Sequence, residues 1–375
     1  MRFDALVIGA GIAGSTIAYW LDRYGLKVGV LESERVAAGA SGAAGAFLSP
    51  MMGKGSAVMQ LVNRALVETL ELYGEIAPDL LIKGGAIRFP KRDEQNERFW
   101  ELAEHLEIPH ERREGSIFFP EAGAVDAQLL CKRLLAGVML FEGVKADRPV
   151  YQGGEWHAGG HSAPILVVST GAYTSILPDN WMQLRGVWGE RLAVESPVDI
   201  SSNLMGAVSL SATFADRTAA IGATHRRDKH DWNVDETAAM GLLQEAKNLM
   251  PQIGGARVLD IKAGMRPASM DYLPIAGPLP HVHKIAAQFP ELMRGRSVPP
   301  EQLPVYPGLY LHTGHGGRGF VTAPHTARLL AESIVRRGTL PQNVLPSRFV
   351  GRHIRRQSEN GVYDWLRKSP ALEGC

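Results

Sequence analysis

The sequence predicts an α/β fold in which a mainly parallel sheet is interleaved with a smaller antiparallel one. Three observations predict it. The first 32 residues run as strand, glycine turn, helix, strand and acid. Two later apolar strands end in glycine-rich turns, and the stretches between them alternate short strand patterns with one amphipathic helix. Length and composition fit two domains: 375 residues, 45% hydrophobic and 21% charged. Lys+Arg is 40 against Asp+Glu 39, a formal net charge of +1, which argues against a protein that mainly coats nucleic acid or an anionic membrane. Forty-one glycines exceed the roughly 7% of an ordinary chain. They follow no collagen period, so they mark tight turns and close backbone approaches. Two cysteines, Cys131 and Cys375, are too few for a disulfide framework or a zinc site.

Ala5 to Ile8 is a continuous apolar run of the kind a buried parallel strand shows. Gly9-Ala-Gly11-Ile12-Ala13-Gly14 follows, then a helix through Tyr24 and a strand, Lys27 to Leu31, ending in Glu32. This is the dinucleotide-binding βαβ unit. Gly9 permits the turn, Gly11 the approach of a pyrophosphate, and Gly14 close helix–strand packing. Glu32 is placed to accept from ribose hydroxyls, and an acid there disfavours a 2′-phosphate. The glycines also argue that the apolar N-terminal stretch is folded structure and not a signal peptide. No other run approaches the ~20 apolar residues of a membrane span, so a cytoplasmic protein is expected.

Residues 36–56 are too small and glycine-rich for a stable element and read as a loop along the cofactor, with Ser41, Gly42 and Gly45 facing it. A helix from Ala57 to Glu75 follows. Residues 137–163 show few clear strands. Ile165 to Ser169 is a buried strand ending at Thr170-Gly171. Strand-like stretches at Arg191–Glu195 and Val208–Ala223 precede an amphipathic helix from Asp235 to Met250. Leu309 to Thr313 is a third strand, closed by Gly314-His315-Gly316-Gly317-Arg318-Gly319-Phe320, with Thr322-Ala-Pro324 opening a helix through Val335. His281-Val-His283 has no Cys, Asp or third His at ligand spacing, so no metal is expected.

These elements, in this order, resemble the glutathione-reductase-type Rossmann fold of the D-amino-acid-oxidase-like FAD oxidoreductases, which include glycine oxidase and sarcosine oxidase. The likeness covers nearly the whole chain. Within the family it is nearest to the oxidase half of the bifunctional enzymes that modify the tRNA wobble uridine. Residues 39–50, Phe118 to Gly123, Gly264 to Gly277, Gly314 to Pro324 and Leu345 to Phe349 carry it. The resemblance implies FAD, held by Gly9, Gly11, Ile12, Ala13, Gly14, Glu32, Ser41, Gly42, Gly45, Val144, Thr170, Gly171, Gly317, Arg318, Gly319 and Phe320. It also implies an FAD-binding domain made of 1–79, 122–184 and 257–375, with an antiparallel-sheet substrate domain of 80–121 and 185–256.

The implied reaction is oxidation of a C–N bond beside a carboxylate. Arg266 sits where the family places its carboxylate-binding arginine. Arg318 is a second candidate and His315 a third contact, and direct hydride transfer from a neutral amine needs no general base. Where the family tends to show an Arg-Gly-Gln segment near the flavin, Trp188 and Glu190 stand instead, with Arg185 as a possible substitute contact. The implied substrate is 5-carboxymethylaminomethyl-(2-thio)uridine in tRNA, giving 5-aminomethyluridine and glyoxylate. A free glycine, sarcosine or D-amino acid, or flavin binding without turnover, are the alternatives.

Met1 lies directly before the first strand and reads as a natural start. On that expectation methylation of the product falls to a separate methyltransferase. Arg336, Arg337, Arg348, Arg352, Arg355, Arg356, Arg367 and Lys368 against Glu359 and Asp364 put a net +6 near the C-terminus. This is a possible phosphate-contacting edge.

Overall fold

The computed structural model describes residues 1–91, 96–179, 181–227 and 233–363. Its centre is a six-stranded sheet ordered Ile275–Pro280, Val305–Thr313, Ile165–Val168, Ala5–Ile8, Val28–Leu31 and Met139–Phe141. Every neighbouring pair is parallel except the outermost, Ile275–Pro280 against Val305–Thr313. The first strand is buried on both faces because its alternate residues enter two cores. Ala5 and Val7 pack under the helices Ile12–Arg23, Ala57–Ile76 and Gly319–Ile334, whereas Leu6 and Ile8 pack with Trp156, Leu177, Trp181 and Ile354.

A second sheet has eight strands, ordered Arg257–Ala268, Arg185–Glu195, Thr218–Gly222, Ser209–Leu210, Asn203–Met205, Ala86–Arg88, Ser116–Phe119 and Glu111–Arg113. It is antiparallel apart from the pairing of Asn203–Met205 with Ala86–Arg88. The helix Glu236–Leu249, capped by Asp235 accepting from the Ala238 N–H at 2.9 Å, covers Leu192, Val194, Leu210, Ala219 and Ile221. The strand Arg257–Ala268 belongs to this sheet over its whole length, although a boundary at residue 257 assigned it to the cofactor side.

Two expectations need correction. Residues 150–163 form a three-stranded meander, Val150–Gln152, Glu155–Ala158 and His161–Ala163. Its turns are Gly153-Gly154 and Gly159-Gly160, all four at positive φ, as a two-residue hairpin turn of the primed type requires. The last long helix begins at Gly319 and not near Thr322, so Pro324 lies inside it. Proline offers no N–H to the carbonyl four residues back. The buried Tyr73 hydroxyl donates to that Phe320 carbonyl at 2.9 Å, and Thr69 Oγ1 donates to the Val321 carbonyl at 2.8 Å. The irregular turn is thereby satisfied by the neighbouring helix.

Candidate active site

Four loops converge at the C-terminal ends of the central parallel strands. Gly9 holds φ +103°, and a Cβ on it would stand 2.6 Å from the Ser169 carbonyl oxygen. A Cβ on Gly14 would stand 1.8 Å from the Gly9 oxygen, so the helix Ile12–Arg23 sits too close to the turn for any side chain there. The helix N-terminus faces the residue 39–45 loop: the Ile12 N–H donates to Ser41 Oγ at 2.9 Å, beside Gly11. Gly42 packs on the Ala37 carbonyl and Gly45 on the Phe47 ring. Glu32 is buried and accepts from the Ala10 N–H at 2.8 Å and the Glu34 N–H at 3.0 Å. The Val144 N–H donates to the Glu32 carbonyl at 2.9 Å, which sets residue 144 beside that acid.

Two further turns join them. Thr313 Oγ1 donates to the Gly171 carbonyl at 2.9 Å, while Thr170 Oγ1 donates to the Tyr173 carbonyl. In the loop 314–319, a Cβ on Gly319 would lie 3.0 Å from Ile12, and the following Phe320 is buried. Ala13 is tied to the same strand end, its carbonyl accepting from His312 Nδ1 at 2.9 Å. Burial lowers His312 to about 4, which keeps it neutral. His315 is also pushed well below its ordinary value by burial and by His312, whose ring stands edge-on at 4.8 Å. Both effects favour its neutral imidazole.

The residues fit an FAD. The glycine cradle, the helix N-terminus and the buried acid form a dinucleotide site. His315 Nδ1 is engaged with Thr322 Oγ1 at 2.9 Å, while its buried Nε2 has no partner among the described residues, beside the loop that would meet the flavin.

Arg266 and Arg318 arrive from different sheets. Arg266 lies near the end of the long strand Arg257–Ala268, whose Ala268 bridges His315. Its Nη1 donates to the Thr224 carbonyl at 3.1 Å, and its guanidinium lies so close over Gly189 that a Cβ there would fall 2.2 Å from either terminal nitrogen. Burial lowers its pKa and the Glu190 carboxylate works against that. Glu190 is fully buried, accepting from Trp188 Nε1 at 2.6 Å, from Thr224 Oγ1 and from the Asp235 N–H at 3.3 Å. Trp188 and Glu190 share a strand face, being two residues apart, and both are committed to this internal network. Arg185 turns away, donating to the Met270 carbonyl at 2.6 Å.

Sequence reasoning missed three features. Arg191 Nε donates to the Ala43 carbonyl at 3.0 Å, fastening the 39–45 loop to the second sheet. Burial and then the positive charge of Arg318 lower the Arg88 guanidinium to about 10. Asp179 reaches His281 at 3.8 Å and His283 at 3.6 Å, and accepts from the Tyr306 hydroxyl at 2.6 Å. Only the tertiary fold brings these groups together.

The described basic residues near the C-terminus differ in their surroundings. Arg336 and Arg337 follow the 16-residue helix Gly319–Ile334, about 24 Å from the loop that opens it. Arg348 is spent on Asp271, with Nε at 2.8 Å and Nη2 at 3.1 Å, and on the Leu273 and Leu345 carbonyls. Arg352, Arg355 and Arg356 are exposed. Asp364, Arg367 and Lys368 lie outside the described residues, as does Cys375. Among the described residues no helix is long and apolar enough to cross a membrane.

Residues 4–333 match the family model described as FAD dependent oxidoreductase. The bifunctional tRNA 5-methylaminomethyl-2-thiouridine biosynthesis protein MnmC of Legionella pneumophila is 25% identical, the match covering 93% of this chain and 58% of that protein. MnmC of Pseudomonas putida is 30% identical, over 88% of this chain and 56% of that one. The chain thus spans little more than half the length of these relatives. Among solved structures, glycine oxidase from Geobacillus kaustophilus superposes with a TM-score of 0.74 at 22% identity, covering 90% of this chain and 96% of that one. Iminodiacetate oxidase from Chelativorans sp. BNC1 gives 0.73 at 19%, covering 91% and 98%. These two likenesses are of fold.

Proposed function

The chain belongs to the FAD dependent oxidoreductase family, and on that premise we propose that it oxidises the secondary amine of 5-carboxymethylaminomethyl-(2-thio)uridine in tRNA. The products are 5-aminomethyluridine and glyoxylate. FAD, when bound, supplies the acceptor for a hydride from the carbon between the amine and the carboxylate. The chain's residues bind and orient. Gly9, Gly11, Gly14 and the N-terminus of the first helix hold the pyrophosphate, and Glu32 holds the ribose. The loop 314–319 presents main-chain N–H groups and a neutral His315 to the flavin edge. A guanidinium fixes the substrate carboxylate so that its neighbouring C–H is presented in one orientation. Loss of the hydride turns the C–N bond into an imine as the nitrogen lone pair moves in. Water then adds to that carbon, and the C–N bond breaks with a proton passing to the departing amine.

The observation that carries the tRNA reading is positive charge gathered around the exposed His225, on which Arg266, Lys91 and Arg227 all act. A polyanion is attracted to such a cluster, and its binding weakens with salt. Similarity to MnmC over most of the chain supports the same reading. The test is to incubate the holoenzyme with tRNA carrying the carboxymethylaminomethyl group and to analyse nucleosides by mass spectrometry. Conversion to the aminomethyl nucleoside is expected, and an unchanged nucleoside profile refutes it.

The second reading is oxidation of a small free amino acid, favoured by the half-buried setting of Arg266 and Arg318 beside the glycine loop. Rapid bleaching of the flavin by glycine or sarcosine, without tRNA turnover, would establish it instead.

A further inference from the structure

The turn joining the strands Arg257–Ala268 and Ile275–Pro280 displays an aromatic ring outside every core of the fold. Tyr272 is 54% exposed, and Met270 beside it 39%. Tyr272 also holds φ +65°, the left-handed region, where a bulky side chain is an outlier. Asp271 keeps the turn in that shape. Its carboxylate accepts from Ser269 Oγ at 3.0 Å, from the Leu273 N–H at 3.2 Å and from Arg348 Nε at 2.8 Å. Arg348 closes the turn by donating to the Leu273 carbonyl at 2.9 Å. A ring held in water by an over-determined, strained backbone does nothing for the core, and such strain gathers where a chain meets a ligand.

Arg185 stands against this ring, its guanidinium carbon 5.2 Å from the ring centroid. Its Nη2 donates to the Met270 carbonyl at 2.6 Å, while Nε has no partner and no carboxylate pairs with the group among the described residues. The two side chains offer a fixed π-face beside an uncompensated positive charge. Unpaired nucleotides are held by those two features, bases by aromatic stacking and the backbone by positive charge. The place is also suitable. Arg185 is the register partner of Ala268, and Ala268 bridges His315 in the glycine loop. Two steps of about 5 Å between paired strands set the Arg185 backbone roughly 10 Å from that of His315. One RNA strand can serve both places.

We propose that Tyr272 and Arg185 form a stacking platform for an unpaired nucleotide adjoining the one whose side chain is oxidised. The ring takes the base and the guanidinium the phosphate. This assignment rests on the reading that the oxidised amine is carried by tRNA. A free amino acid has no base to place there.

The test is filter binding of an unmodified tRNA transcript, which has no amine to oxidise, to the FAD holoenzyme over a range of salt. Wild type should bind saturably. Tyr272→Gly removes the ring and suits the positive φ. It should weaken binding about 5- to 100-fold, the loss of one stacked base, with FAD content unchanged and Tm at or above wild type. Tyr272→Trp restores a π-face and should stay within about threefold of wild type. Arg185→Gln should reduce the slope of log Kd against log salt by about 0.7, one phosphate contact of a single strand. Tyr272→Gly should leave that slope as it is.

The platform is overturned if Tyr272→Gly binds like wild type, if Tyr272→Trp is as weak as Tyr272→Gly, or if Arg185→Gln keeps the wild-type slope. Wild-type RNA affinity in Tyr272→Gly, with loss of self-association in sedimentation, gives the ring to a second copy of this chain instead. Should Tyr272→Gly fail to fold, Tyr272→Asn, which also tolerates the left-handed region, decides in its place. The two readings fail separately. If only the platform fails, wild type still converts the carboxymethylaminomethyl nucleoside in tRNA; if the tRNA reading fails, wild type leaves that nucleoside unchanged.

Discussion

Gly14→Ala is the most direct perturbation of the cofactor site. The added Cβ would lie 1.8 Å from the Gly9 oxygen and 2.9 Å from the Gly9 carbonyl carbon, where real Cβ atoms keep at least 3.0 Å. Both obstacles are backbone, and Ser169 Cβ at 3.5 Å closes a sideways escape. The helix Ile12–Arg23 must therefore retreat from the turn by at least about 1.2 Å. Its N-terminal N–H groups move with it, away from the pyrophosphate they are built to meet. Each charged hydrogen bond lost there is worth about 1.5–3 kcal/mol, so FAD affinity should fall about 10- to 100-fold per bond. Fluorescence titration of the apoprotein with FAD measures this. Thermal unfolding of the apoprotein separately measures the overpacking cost of about 1–3 kcal/mol. An Ala variant that binds FAD with wild-type affinity would refute the close-approach argument.

Three other outcomes are expected. Tyr73→Phe leaves the Phe320 carbonyl, already without a helical donor because of Pro324, unsatisfied in the core. It should lose about 1–3 kcal/mol in denaturant unfolding, and a midpoint equal to wild type would show that the hydroxyl is dispensable. Glu68 is lowered to about 2, first by its hydrogen bond from His325 at 2.8 Å and also by Arg328 at 3.0 Å. Its folded pKa lies below the ordinary 4.5, so its stabilisation is full above 4.5 and disappears as pH falls towards 2. Urea unfolding between those values should show a shallower pH slope for Glu68→Gln, and identical slopes would contradict the assignment. Burial pushes the fully buried Cys131 thiol up to about 12. In the native protein its peptide should therefore escape iodoacetamide at pH 8, whereas labelling comparable to the denatured chain would count against this packing.

The nucleotide end of the site was legible because its signal is local. Gly9, Gly11, Gly14 and Glu32 lie within 24 residues, and the structural reason for each spacing is contained in one βαβ unit. The meander at 150–163 escaped notice because its strands have only three or four residues. Its signal was nevertheless present, two Gly-Gly pairs six residues apart. The last helix was started too late because Pro324 looks like a first-turn proline. Only Tyr73 and Thr69, some 250 residues away, explain how the chain tolerates it inside. Arg88 and Glu190 were harder still. One closes a three-residue strand and the other lies on an interior strand of the eight-stranded sheet, so no sequence period reveals which charged groups the fold sets around them.

The strand Arg257–Ala268 has a wider consequence. It lines one edge of the eight-stranded sheet and bridges His315 through Ala268, and the chain then enters the six-stranded sheet at Ile275 opposite Thr313. Gly264 meanwhile presses on Ala40, and Arg191 on the neighbouring strand grips Ala43. Such stitching leaves no hinge between the sheets. A ligand in the glycine loops thus stabilises the distant sheet as well as its own, and heating should melt both in one transition that FAD shifts as a unit. Turnover must then be gated by side chains and short loops at the rim, without the swing of a whole domain.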